Sequence, residues 1–195
     1  MSMIDRQCIE TVKRNHTVHT KSRRELQAVS ADILGGSKRS IFATQRGDLK
    51  RAKSEIADAA KLIKKGKGII AKRERLMQEG MWRSALEEYG EASLYFAAMS
   101  GQKIGCIREI PDTDTETYIG AMSDLTGELT RSCVLMATER KTEEVTRLLG
   151  LIREVVAYLL LLDLTGSLRQ KFDQAKQNLR KAEEIAFNLS IHVSN

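Results

Sequence analysis

The chain has 195 residues, 42% hydrophobic, 30% charged and 5% aromatic, with one proline, Pro111, and a formal net charge of +6. That is enough apolar material for one buried core over residues 1–195, which excludes a disordered tail, and so few prolines and aromatics favour long helices over sheets. Cys8, Cys106 and Cys133 are too few and too scattered for a disulfide framework or a thiolate zinc site. The longest apolar run, Val155 to Leu162, is far short of the roughly 20 residues of a membrane helix; with no charged-then-apolar leader, the chain is expected in the cytoplasm, away from membranes.

Apolar residues recur at helical spacing over most of the length, and the punctuation falls at glycines and at the proline, so the predicted fold is all-α, a bundle of about six long helices. The first runs from about Ile4 to Leu34 and stops at Gly35-Gly36. The second runs from about Arg39 to Lys65 and ends in the basic turn KKGKG. A third covers about Ile70 to Met99 with an interruption at Gly80, and SGQKIGCIREIPDTD is the one substantial connection. The fourth restarts near Thr113, with Asp112, Thr113 and Asp114 as N-cap candidates, and continues to about Thr138. The fifth, in KTEEVTRLLGLIREVVAYLLLLDLTG, is apolar round most of its circumference, as suits a central core helix, an oligomer interface, or both. After Gly166, the positions Leu168, Phe172, Ala175, Leu179, Ala182, Ala186 and Leu189 form one amphipathic stripe. No internal repeat occurs.

The net charge hides a segregation. Residues 1–83 carry 20 Lys and Arg against 9 Asp and Glu, residues 84–130 carry 2 against 9, and residues 131–195 carry 10 against 8. A basic first half is the footprint of a polyanion binder. An acidic block at the centre would repel that polyanion unless something cationic neutralises it.

Within the acidic block, Glu88 and Glu91 are three apart, about 60° around a helix, and share a strip with Ala92, Tyr95, Ala98 and Met99. No Lys or Arg occurs between residues 84 and 102 to offset them. In SDLTGELTR, Asp124 and Glu128 are four apart, about 40° around the wheel. Two such pairs on neighbouring helices, if they face each other, repel strongly unless a divalent cation sits among them, and oxygen-only ligands point to Mg²⁺, with Mn²⁺ as the alternative. The plain alternative is an ordinary charged face in which Arg131 pairs with Glu128. A di-iron bundle does not fit, because none of His16, His19 or His192 has a Glu three residues before it. The HTVH step, His16 and His19, reads as helix surface, and GGSKRS lacks the spacing of a phosphate loop. Lys64, Lys65, Lys67, Lys72 and Arg73 cluster about a turn and are candidate phosphate contacts, together with Arg83 and Arg131; a solvated turn is the plain reading of the cluster.

EEYGEA, DLTGELTR and the ending LRQKFDQAKQNLRKAEEIAFNLSIH together resemble the translin and TRAX family, in matching order and spacing over most of the chain. The resemblance implies an all-helical subunit of a hollow oligomer, typically an octamer, that handles RNA and single-stranded DNA on its inner surface. TRAX-type subunits are Mg²⁺-dependent endoribonucleases with a Glu-Tyr-x-Glu-Ala motif and an acidic pair in Asp-Leu-Thr-Gly-Glu-Leu, whereas translin-type subunits bind nucleic acid and lack part of this set. This chain is closest to the TRAX type, and by that resemblance Glu88, Glu91, Asp124 and Glu128 are the metal-binding catalytic acids, with Glu87 a neighbour. It departs from translin before the tryptophan, where Gln78, Glu79 and Gly80 replace a basic, histidine-containing segment and leave only Trp82-Arg83. The expected activity is hydrolysis of RNA, single-stranded for preference, in a homo-oligomer or with a translin-type partner subunit. Two rivals stand beside it: a translin-type binder without catalysis, and an all-α nucleotide pyrophosphohydrolase, whose Glu-Glu-x-x-Glu signature EEYGE also fits.

Overall fold

Asp5 opens the first helix by accepting from the backbone N–H groups of Gln7 and Cys8, at 2.9 and 3.1 Å, which satisfies two donors that a helix start leaves bare. From there α1 (Arg6–Gln45) runs 40 residues without a break in the computed structural model, which describes residues 4–111 and 114–193, with side chains as far as Ile191. The expected stop at Gly35-Gly36 is absent. A glycine inside a helix costs only about 1 kcal/mol, and Ile33, Gly36, Ser37, Ser40 and Ile41 continue one buried face, with Gly36 beside Ala59 of the next helix. Packing outweighs propensity here.

The chain turns instead at Gly47, whose φ of 76° is left-handed, and Asp48 then caps α2 (Leu49–Ile70) by accepting from the Arg51 N–H at 3.0 Å. The second helix therefore begins and ends later than expected. The long third helix is two elements, a short 3-10 helix (Glu74–Gln78) and α3 (Gly80–Met99), divided at the expected interruption. Asp114 caps α4 (Thr115–Thr138) by accepting from the Thr117 N–H at 3.4 Å, while the other cap candidates, Asp112 and Thr113, lie outside the described residues. With α5 (Thr142–Leu160) and α6 (Gly166–Val193) the fold is all-α, and no strand occurs among the described residues. Nor, among them, is any helix long and apolar enough to cross a membrane.

α1 packs on α2 and α3, α3 faces α4, and α4 also carries α5 and α6. The centre of the core is thus the α3–α4 contact, where Leu94, Tyr95, Leu125 and Leu129 are all but fully buried. The apolar α5 is an outer helix: Leu148, Ile152, Val155 and Leu159 are buried, while Tyr158 and Leu160 stay exposed, as does Leu161 just past its end. Along the α6 stripe, Phe172, Ala175, Ala182 and Leu189 are buried and Leu168, Leu179 and Ala186 half-buried.

Two glycines set how closely α3 and α4 approach. A Cβ on Gly90 would lie 2.7 Å from Ala121 Cβ, and one on Gly120 would lie 2.1 Å from a carboxylate oxygen of Glu87. Deeper in the same contact, the buried hydroxyls of Tyr95 and Ser132 hydrogen-bond at 2.7 Å. That contact fixes the register of the two acidic strips.

Candidate functional site

Four carboxylates face one another across the α3–α4 contact, within electrostatic reach of each other. Glu88 and Glu91 on α3 both lie in the electrostatic field of Asp124 and Glu128 on α4. Burial pushes the Glu91 carboxyl up to about 8, and the charges of Asp124, Glu88 and Glu128 push the same way, with Lys171 opposing. Glu88 is also raised above the ordinary carboxylate range, first by burial; Lys38 offsets part of this, and Asp124, Glu128 and Glu87 add to it. Neither Glu88 nor Glu91 makes a hydrogen bond or ion pair among the described residues.

The other two acids are held. Lys171 on α6 places its Nζ 2.5 Å from Asp124 Oδ2 and 2.9 Å from Glu87 Oε1, so one ammonium ties α6 to both α3 and α4. Burial works against the charge on Lys171, but its hydrogen bonds to Asp124 and Glu87 outweigh it and hold the ammonium above its ordinary value. Gln45, in the last turn of α1, donates from Nε2 to Glu128. Glu87 is thus more than a bystander: it shares its counter-ion with Asp124.

Lys38, Gln45 and Lys171 are the site residues that sequence reasoning missed. Lys38 and Gln45 reach the carboxylates because α1 continues past Gly36. Lys171 adjoins Phe172 on the α6 stripe, and only the tertiary contact reveals its partners.

The Arg131–Glu128 pair of the plain alternative does not form; the Arg131 guanidinium lies over the Phe42 ring instead, 6.0 Å from its centroid. Of the basic candidates, Lys64, Lys65 and Lys72 are exposed and Arg73 half-buried. Lys67 donates to the Glu109 carbonyl at 2.7 Å, and Arg83 pairs with Glu116. None of them shapes the field at Glu88 or Glu91, where the nearby cations are Lys38 and Lys171.

Among the described residues, no three His, Cys, Asp or Glu side chains stand close enough in this arrangement to hold one metal ion. The donor set nonetheless suits a hard divalent cation. It is made of carboxylate oxygens alone, and two of the four acids lack partners and are driven towards their neutral forms by burial and mutual repulsion, which a bound cation would relieve.

The profile of the translin family matches residues 21–193, from the middle of α1 to the end of α6. The chain belongs to the translin family. Solved structures carry the same fold. A crystal structure of apo-NeC3PO superposes with a TM-score of 0.85 at 21% identity, covering 97% of this chain and 100% of that one. AfC3PO gives the same values. AfC3PO in complex with duplex RNA gives a TM-score of 0.87 at 20% identity, covering 96% of this chain and 98% of that one. No curated protein sequence matches the chain significantly.

In this translin-family chain, Trp82 is 3% exposed and belongs to the core, so it offers no open face for stacking a base. Glu79, where translin carries a basic segment, pairs with Arg23 of α1 at 2.8 Å. At Glu79 the departure from the translin pattern is an ion pair between α1 and the junction ahead of α3.

Proposed function

We propose that the chain is a TRAX-like, Mg²⁺-dependent endoribonuclease, acting on RNA by hydrolysis of phosphodiester bonds. The observation that carries this reading is the carboxylate cluster, with Glu91 held up to about 8 and no partner for it or for Glu88 among the described residues. Glu88, Glu91, Asp124 and Glu128 would hold the ion, and Mn²⁺ would substitute. When bound, Mg²⁺ supplies charge against the phosphoryl oxygens and lowers the pKa of water. Lys171 keeps Asp124 in place from α6, and Gln45 does the same for Glu128 from α1. Water adds to phosphorus, one P–O ester bond breaks, and a hydroxyl and a phosphate monoester result.

The basic residues of α1 and α2 draw the polyanion in, contacting backbone rather than bases, and aromatics at 5% leave little to stack on. RNA is the proposed partner, single-stranded for preference, and single-stranded DNA a second ligand; the duplex RNA in the AfC3PO complex makes duplex a necessary arm of the test. By family likeness the working form is a hollow homo-oligomer, an octamer, or a mixed assembly with a translin-type subunit, in the cytoplasm.

The test incubates fluorescent single-stranded and duplex RNA with the purified chain in EDTA, then restores Mg²⁺. Cleavage should begin on restoration. Intact RNA that stays bound to the protein would instead support the translin-type binder, and pyrophosphate released from a nucleoside triphosphate would support the pyrophosphohydrolase.

A further inference from the structure

The first turns of α3, α4 and α6 surround a cleft of about 260 Å³ that adjoins the carboxylate cluster through Glu87 and Lys171. We propose that this cleft is a phosphate subsite, holding a phosphodiester group of the RNA strand beside the one that is cleaved. It rests on the nuclease reading above and adds a second point of contact with the substrate.

Arg83 and Lys171 bring positive charge to the cleft walls, and Ser84, Thr117 and Ser167 bring hydroxyls. Thr117 is the decisive side chain. It is 3% exposed, its backbone N–H is taken by Asp114, and its hydroxyl has no partner among the described residues. Its oxygen is not sealed off from solvent as Thr44 Oγ1 is, so on a side chain this deeply buried it is the cleft that leaves the hydroxyl open to a ligand. The helix starts add to the field: Gly80 is the first residue of α3, and Thr117 and Ser167 lie in the first turns of α4 and α6. Helix starts carry partial positive charge and, where uncapped, bare N–H groups; α4 is capped by Asp114, but α3 has no side-chain cap of its own.

The volume is below the roughly 300–1,000 Å³ of pockets for drug-sized molecules, which suits one phosphate with its sugar. The cleft also shares Arg83 and Glu116 with a larger neighbour of about 680 Å³ that includes Lys67. A backbone passing Lys67, Arg83 and Lys171 therefore arrives at Asp124, which Lys171 already touches. Two carboxylates also line the cleft, Glu87 paired to Lys171 and Glu116 paired to Arg83. The Glu116–Arg83 pair is a surface pair, with side chains 64% and 47% exposed, and such pairs are weak enough for a phosphate to displace the carboxylate.

The test titrates inorganic phosphate into the full chain without divalent cation, by calorimetry, so that the unneutralised acids repel the probe from the cluster itself. Thr117→Val, which keeps shape and loses only the hydroxyl, and Arg83→Met should each weaken binding by about tenfold. Glu116→Gln, an exposed change, should tighten it several-fold by freeing Arg83. A wild type that takes no phosphate, or variants that bind as wild type does, would overturn the subsite. Since turnover is not measured, an inactive chain that binds phosphate keeps the subsite and loses the nuclease reading, and an active chain indifferent to phosphate does the reverse.

Discussion

At the scale of single residues, the site is built from a conflict of charge that folding leaves unresolved. Glu91 is half-buried among acids and raised to about 8, so near neutral pH the metal-free folded chain holds a proton there that the unfolded chain has released. Between the ordinary glutamate value of 4.5 and about 8, each rise in pH therefore costs folding free energy, up to about 1.4 kcal/mol per pH unit for one proton, and outside that window this contribution is flat. Glu91→Gln removes the group that must ionise. Thermal melts in EDTA should show the wild type losing stability from pH 5 to pH 8 and Glu91→Gln losing less, so that the variant is the more stable at pH 8. Equal slopes would mean that Glu91 is not the strained acid.

At the scale of elements, the position of the site depends on two helices that approach closely and one that refuses to stop. Gly90→Ala puts a methyl 2.7 Å from Ala121 Cβ and 3.0 Å from Ile110 Cδ1, so α3 and α4 must move apart, at a cost of about 1–3 kcal/mol. Gly35→Ala meets only the flexible end of Arg39, at 3.3 Å, and should stabilise α1 by up to about 1 kcal/mol through helix propensity. Denaturant unfolding of the two variants should move in opposite directions; a loss of stability in Gly35→Ala would contradict the continuous α1. A different pair of glycines, Gly36 and Gly47, explains what the sequence could disclose. Periodicity and capping residues were sufficient for six helices, for the α6 stripe and for the strips of Glu88 with Glu91 and Asp124 with Glu128. They could not tell a glycine that packs, Gly36, from one that turns, Gly47, because the difference lies in α2 and not in the local chain. Lys38 and Gln45 were lost with that boundary. Lys171 was hidden for another reason, since a lysine beside an apolar stripe looks solvated until the helices it ties are known.

At the scale of the whole molecule, the proposed function assigns basic and acidic regions separate tasks, capture on the first helices and chemistry on the α3–α4 contact. Tyr158, Leu160 and Leu161 at the end of α5, and Phe187 and Ile191 on α6, are large apolar side chains left exposed on the single chain. An assembly that covers such surface is expected, and light scattering of the purified chain should give a mass well above 21.9 kDa; a monomer would contradict self-assembly. On the proposed reading, in which backbone phosphates and not bases are gripped, RNA affinity should fall steeply with salt. The claim that joins these scales is that the carboxylate cluster cleaves RNA with a bound metal ion. Its most direct test is the cleavage rate of fluorescent single-stranded RNA in Mg²⁺ by wild type and Glu91→Ala, with RNA binding measured on the same samples. A loss of about 100-fold or more in rate with binding retained is the predicted result. Equal rates, or no cleavage by either protein, would contradict it.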